Sequence, residues 1–186
     1  RRIWFNPAVS SGLQAFAYSV EHTAHGFTAD AHLYRSSDLE TWTEIISPSA
    51  SQGAAQMTFL DSEIWLASDG LYQYTQVTGW QDVTTMGYPP VAVSVSPADT
   101  QVMYIGTDFG VEKSVDGGEN WSDANQELAG IVPDAMAVSP HDLDTLYVRT
   151  LQGIFKSTTA GNDWQYLDHG GGGYSGGDNI LAVDHD

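Results

Sequence analysis

Short apolar runs, separated by clusters of Ser, Asp, Gly and Pro, follow one another along the whole chain. That rhythm predicts strands joined by tight turns rather than helices. In the N-terminal part the strands are expected at 3–5, 13–20, 31–35 and 42–46. The alternation is clearest where Leu13, Ala15, Ala17 and Ser19 oppose Gln14, Phe16, Tyr18 and Val20. Both sets carry apolar residues, as in sheets covered on two sides. Residues 48–54, rich in Ser and Ala, read as a connection to a second set of strands at 57–60, 64–67, 71–75 and 80–83. Asp61-Ser62 and Ser68-Asp69-Gly70 supply turns within that set, and Trp65 is expected in the core.

The second half of the chain repeats itself. Val95-Ser96-Pro97, Asp99, Tyr104, Thr107, Gly110, Lys113-Ser114, Gly118 and Trp121 recur without a gap at Val138-Ser139-Pro140, Asp142, Tyr147, Thr150, Gly153, Lys156-Ser157, Gly161 and Trp164, a spacing of 43 residues. A period in the forties with about four short strands per unit is the signature of a β-propeller. The expected fold is therefore all-β, a propeller of four-stranded antiparallel blades. Four blades are expected near 1–48, 54–88, 90–131 and 133–172, with 178–186 as the first strand of a further blade or as ring closure.

The most informative stretch within a unit is Ser114-Val-Asp116-Gly-Gly118-Glu-Asn-Trp121. An Asp in a tight turn accepts backbone N–H groups further along, Gly takes the positive φ that other residues resist, and Ser ties the opposite arm. The Trp then packs between sheets, where its burial contributes about 3 kcal/mol. A second copy keeps Ser157, Gly161 and Trp164 but has Thr159 in the Asp position. An earlier one, Ser36, Asp38 and Trp42, is shorter by one residue and lacks the Gly. In the second unit 74–80 occupies the place without the Asp.

This Ser-x-Asp-x-Gly-x-x-Trp spacing resembles the Asp-box, or BNR repeat, of sialidases, sortilin-type receptors, xyloglucanase-like glycosidases and a photosystem assembly factor. The resemblance implies a propeller, usually of six or more blades. Four blades are then expected to be part of a larger ring, completed by further sequence or by another chain. It also implies extracellular, periplasmic or cell-surface placement. About activity it says little, because one fold hosts many functions.

Composition removes several alternatives. The 24 acidic residues against 6 basic ones give a net charge of −18, which opposes a grip on phosphate backbones or anionic lipid. With no Cys, neither a disulfide framework nor a thiolate metal site is possible. No apolar run reaches the roughly 20 residues of a membrane span. His22, His25 and His32 have spacings that suit a helix, which this strand-like stretch does not offer, so no metal site is expected there. No cofactor motif is present.

Candidate chemistry is sparse. Resemblance to sialidases would require three arginines around a carboxylate, yet the chain has only Arg1, Arg2, Arg35 and Arg149, the last standing where the preceding unit has Gly106. Resemblance to xyloglucanase-like enzymes would require two carboxylates from separate blades. Thr107-Asp108-Phe109-Gly110 matches their Thr-Asp-x-Gly context, which makes Asp108 the one catalytic candidate; no second carboxylate can be nominated. In related propellers the ligand face lies opposite the Asp-box turns. That places Asp69, Asp108 and Gln152 at a binding face, joined by Asp168, His169 and Asp178 of the glycine-rich run. The expected function is noncatalytic binding or scaffolding with a protein or carbohydrate partner, and the alternative is a glycoside hydrolase of the xyloglucanase-like type.

Overall fold

The computed structural model describes residues 13–18, 24–28, 33–45, 56–60, 63–126, 128 and 130–167, the first two segments as backbone only. These residues form four antiparallel sheets of four strands and no helix. Blade 1 comprises β1 (Leu13–Tyr18), β2 (Ala24–Thr28), β3 (Leu33–Ser36) and β4 (Thr43–Ile45). Blade 2 comprises β5 (Gln56–Phe59), β6 (Glu63–Ala67), β7 (Leu71–Thr75) and β8 (Gly79–Asp82). Blade 3 comprises β9 (Ala92–Val95), β10 (Met103–Thr107), β11 (Gly110–Ser114) and β12 (Ser122–Asp123). Blade 4 comprises β13 (Pro133–Val138), β14 (Leu146–Thr150), β15 (Gly153–Ser157) and β16 (Gln165–Leu167). In each sheet the strands lie side by side in chain order, the meander of a propeller blade.

Blade 1 differs from the sequence pattern in one element. Its second strand is Ala24–Thr28, a stretch whose Gly and His interrupt the apolar alternation. The strand expected at 3–5 lies outside the described residues.

The blades pack face to face through three apolar clusters. Val93, Val95, Met103 and Ile105 of blade 3 meet Trp65, Ala67 and Leu71 of blade 2. The opposite face of blade 3, with Ala92, Tyr104 and Val111, meets Met136, Val138, Leu146, Val148 and Trp164 of blade 4. A third cluster joins Leu33 of blade 1 to Met57, Ile64 and Leu66 of blade 2. This explains why β9 is buried at all four positions: neighbouring residues point to different blades. Each fully buried Ile, Leu or Val contributes about 1.5–3 kcal/mol. Trp65 is in this core as expected, its indole N–H donating to Glu63 Oε2 at 3.1 Å.

The innermost strands are joined by side chains. Buried Gln56 accepts the Val93 N–H at 3.0 Å and donates to the Met136 carbonyl at 3.2 Å, tying blades 2, 3 and 4 together. Thr58 donates to the Val93 carbonyl, and the Ser94 hydroxyl accepts the Val138 N–H. Gly106 lets the start of β13 come close, since a Cβ there would lie 3.0 Å from the Pro133 side chain. Arg149, at the corresponding place in blade 4, turns to Asp134 and pairs with it at 2.8 Å.

Candidate functional site

The turns divide between two faces. Turns 37–42, 76–78, 115–121 and 158–164 join third to fourth strands. They share one face with the first-to-second-strand turns, as the Gly117 N–H bond to the Gln101 carbonyl and the Ala160 N–H bond to the Asp144 carbonyl show. The opposite face, here the hairpin face, carries the second-to-third-strand turns around 68–69, 108–109 and 151–152. The blade-to-blade connections 83–91 and 124–132 run beside them: Val91 N–H donates to Gly106, and Pro133 pairs with Thr150.

On the first face the Ser-x-Asp turns close on themselves. Ser114 Oγ accepts the N–H groups of Asp116 (3.2 Å) and Gly118 (2.9 Å) and donates to Asp116 Oδ1 at 2.8 Å. Asp116 in turn accepts the Asn120 backbone N–H at 2.9 Å and its side-chain amide at 2.8 Å. The Asn120 bonds, followed by Ser114, hold the Asp116 carboxyl down from 3.8 to about 2. Asp38 is likewise lowered to about 2, mainly by the Thr41 and Glu40 amides. In the fourth turn the Thr159 hydroxyl does part of the same work, accepting the Asp163 N–H at 2.8 Å. Where the first turn lacks Gly, Leu39 takes φ 65°. Every side chain that identifies these turns is used to build them.

The four tryptophans are equivalent by register. Thr43, Gln81, Ser122 and Gln165 pair with Arg35, Gln73, Lys113 and Lys156, and Trp42, Trp80, Trp121 and Trp164 stand one residue earlier. Of the four only Trp164 is buried; Trp42, Trp80 and Trp121 are half-buried. Trp164 donates to the Ala124 carbonyl and Trp121 to Thr85 Oγ1, each reaching the connection that precedes its own blade.

The hairpin face is built differently. Thr107 and Thr150 each cap their turn, accepting the N–H of Phe109 and of Gln152 at 3.1 Å, and this turns the residues between outward. Asp108 and Gln152 are exposed, and their side chains have no hydrogen bond among the described residues. Asp69 is also at a tip, accepting the Tyr72 hydroxyl at 3.1 Å. The three predicted residues thus occupy equivalent tips of neighbouring blades, while Asp168, His169 and Asp178 lie outside the described residues. Phe109 is 63% and Leu151 88% exposed, and exposed Val132 directly precedes Pro133, which pairs with Thr150. Asn125 braces the Phe109 carbonyl at 3.0 Å.

Two residues that the sequence reading passed over complete this face. Tyr88, on the 83–91 connection, packs edge-on against Phe109 with ring centroids 5.2 Å apart. Its hydroxyl donates to Glu112 Oε1 of β11. That bond, then burial and the negative charges of Glu112 and Asp123, raise the tyrosine to about 12. The signal for Glu112 was present in the repeat: the equivalent positions hold Tyr34, Tyr72 and Phe155. Among the described residues no group of His, Asp and Glu is arranged to hold a metal ion.

No protein-family model matches the chain, and no curated protein matches it by sequence. Solved structures do. The GH74 enzyme of Niastella koreensis aligns with TM-score 0.62 at 21% identity over 80% of this chain and 30% of its own. The GH74 xyloglucanase of Xanthomonas campestris gives 0.63 at 18%, over 83% and 30%. YCF48 bound to a D1 peptide gives 0.64 at 15%, over 88% and 55%. The chain thus spans less than a third of the GH74 chains and about half of YCF48. At these identities the likeness shows the fold, a β-propeller.

Proposed function

We propose that this chain is a noncatalytic binding or scaffolding propeller whose partner is a polypeptide segment meeting the hairpin face. The observation that carries the reading is the pairing of unused side chains at equivalent tips: Asp108 with exposed Phe109, and exposed Leu151 with Gln152. Apolar area at the centre of a polar rim is how protein-recognition sites are composed. The opposite face spends Ser36, Asp38, Ser114, Asp116, Ser157 and Thr159 on its own turns, which we read as Asp-box turns with a structural task. A structural neighbour, YCF48, is bound to a peptide, which favours a polypeptide over a glycan. The glycosidase alternative asks for a second carboxylate paired with Asp108 from a separate blade. Among the described residues the equivalent tips of blades 2 and 4 offer Gln152 and an Asp69 engaged by Tyr72, while Glu112 and Asp123 belong to the same blade as Asp108, with Glu112 bonded to Tyr88.

Panning a displayed dodecapeptide library on the 186-residue chain tests the reading. Binders are expected whose affinity is lost in Phe109→Ser and Leu151→Ser and kept in Val77→Ser and Val115→Ser on the other face. In parallel, turnover of xyloglucan or another β-glucan that vanishes in Asp108→Asn would overturn it.

A further inference from the structure

Given a polypeptide on the hairpin face, the chemistry of blade 3 narrows what that segment carries. The matching cross-strand pair is Tyr34↔Glu44 in blade 1, Tyr72↔Asp82 in blade 2 and Phe155↔Tyr166 in blade 4. Each includes an aromatic ring. Blade 3 has Glu112↔Asp123 instead, two like charges directly opposite one another, which weakens a sheet. Glu112 is only 8% exposed, and buried carboxylates are ordinarily paired with a cation. Its polar partner among the described residues is the neutral Tyr88 hydroxyl.

Among the described residues, the cations of blades 3 and 4 are turned elsewhere: Lys113 lies over Tyr104, Lys156 over Tyr147, and Arg149 against Asp134. The aromatic surface absent from the strand pair is supplied by Tyr88 and the exposed ring of Phe109. Aromatic rings beside carboxylates are the setting that holds an ammonium or guanidinium group. A net charge of −18 steers positive segments toward the protein from any side, and the Tyr88, Phe109 and acid-pair arrangement gives them a place to stop. We infer that Tyr88, Phe109, Glu112 and Asp123 form the seat for a lysine or arginine side chain of the partner, with an apolar residue of the same segment resting on Val132 and Leu151.

Fluorescence anisotropy with three labelled dodecapeptides tests this: alternating lysine–leucine, lysine–serine and glutamate–leucine. The lysine–leucine peptide is expected to bind best. Glu112→Gln, which keeps an oxygen for Tyr88 and removes the charge, should weaken it about tenfold, the scale of one charge-assisted contact. Glu119→Gln on the opposite face removes the same charge and should change affinity less than about twofold, since a distant exposed charge is screened. Thermal melts of both variants establish that they are folded. Equal losses in the two variants would show diffuse attraction and overturn the seat. Binding of the glutamate–leucine peptide that needs Phe109 but not Glu112 would overturn the seat and leave peptide binding at this face standing. Absence of binding by all three peptides would overturn the seat, with the library panning then deciding the wider reading.

Discussion

Ser114 shows how much one hydroxyl can organise. It is buried, accepts two backbone N–H groups and donates to Asp116, so Ser114→Ala leaves buried donors without partners and should lower stability by about 1–2 kcal/mol in chemical denaturation. Asp116 adds a pH dependence whose sign is fixed by its lowered carboxyl. Its folded value, about 2, lies below its ordinary 3.8. The stabilisation is therefore fully present above about pH 4 and disappears as pH falls toward about 2. Asp38 behaves alike. The double variant Asp38→Asn, Asp116→Asn should lose less melting temperature than the parent over that interval, and an equal loss would contradict the assignment. These turn residues were legible in the sequence because their chemistry is local. The meeting of Glu112 with Tyr88 was not, although the repeat marks Glu112 as an odd residue at an aromatic position, because the two lie 24 residues apart and meet only once blade 3 is assembled.

At the scale of elements, the 43-residue repeat gave blades 3 and 4 as two copies of one unit, since Ser-Pro-x-Asp, Gly and the Ser-led turn recur at the same places in each. Blade 1 was read less well. Ala24–Thr28 was missed because a strand paired on both sides is held by its neighbours' backbones and needs little alternation of its own. Gln56 was also left outside its strand, although it begins β5 and bridges Val93 and Met136. Gln56→Ala should therefore cost about 2–4 kcal/mol through two buried groups losing their partner. Unfolding that stays unchanged would show that the inner strands do not depend on this bridge. Trp164→Ala should cost about 3–5 kcal/mol through the cavity it leaves between blades 3 and 4.

For the whole molecule, the division of labour between two faces is the central claim. One face uses its Ser, Asp and Asn groups to close its own turns. The other leaves Asp108, Phe109, Leu151 and Gln152 to solvent above a stitched apolar interior. The resemblance to Asp-box propellers implied that Asp69, Asp108 and Gln152 lie on the face opposite those turns; the sequence could not show that apolar side chains stand beside them, since exposure is a property of the assembled blades. Hydrogen exchange of the chain with and without a library-selected peptide tests this most directly. Slowed exchange is predicted in 83–91, 107–110, 124–132 and 150–153, with 115–121 and 158–164 unchanged. Protection confined to 115–121 and 158–164 would contradict the account.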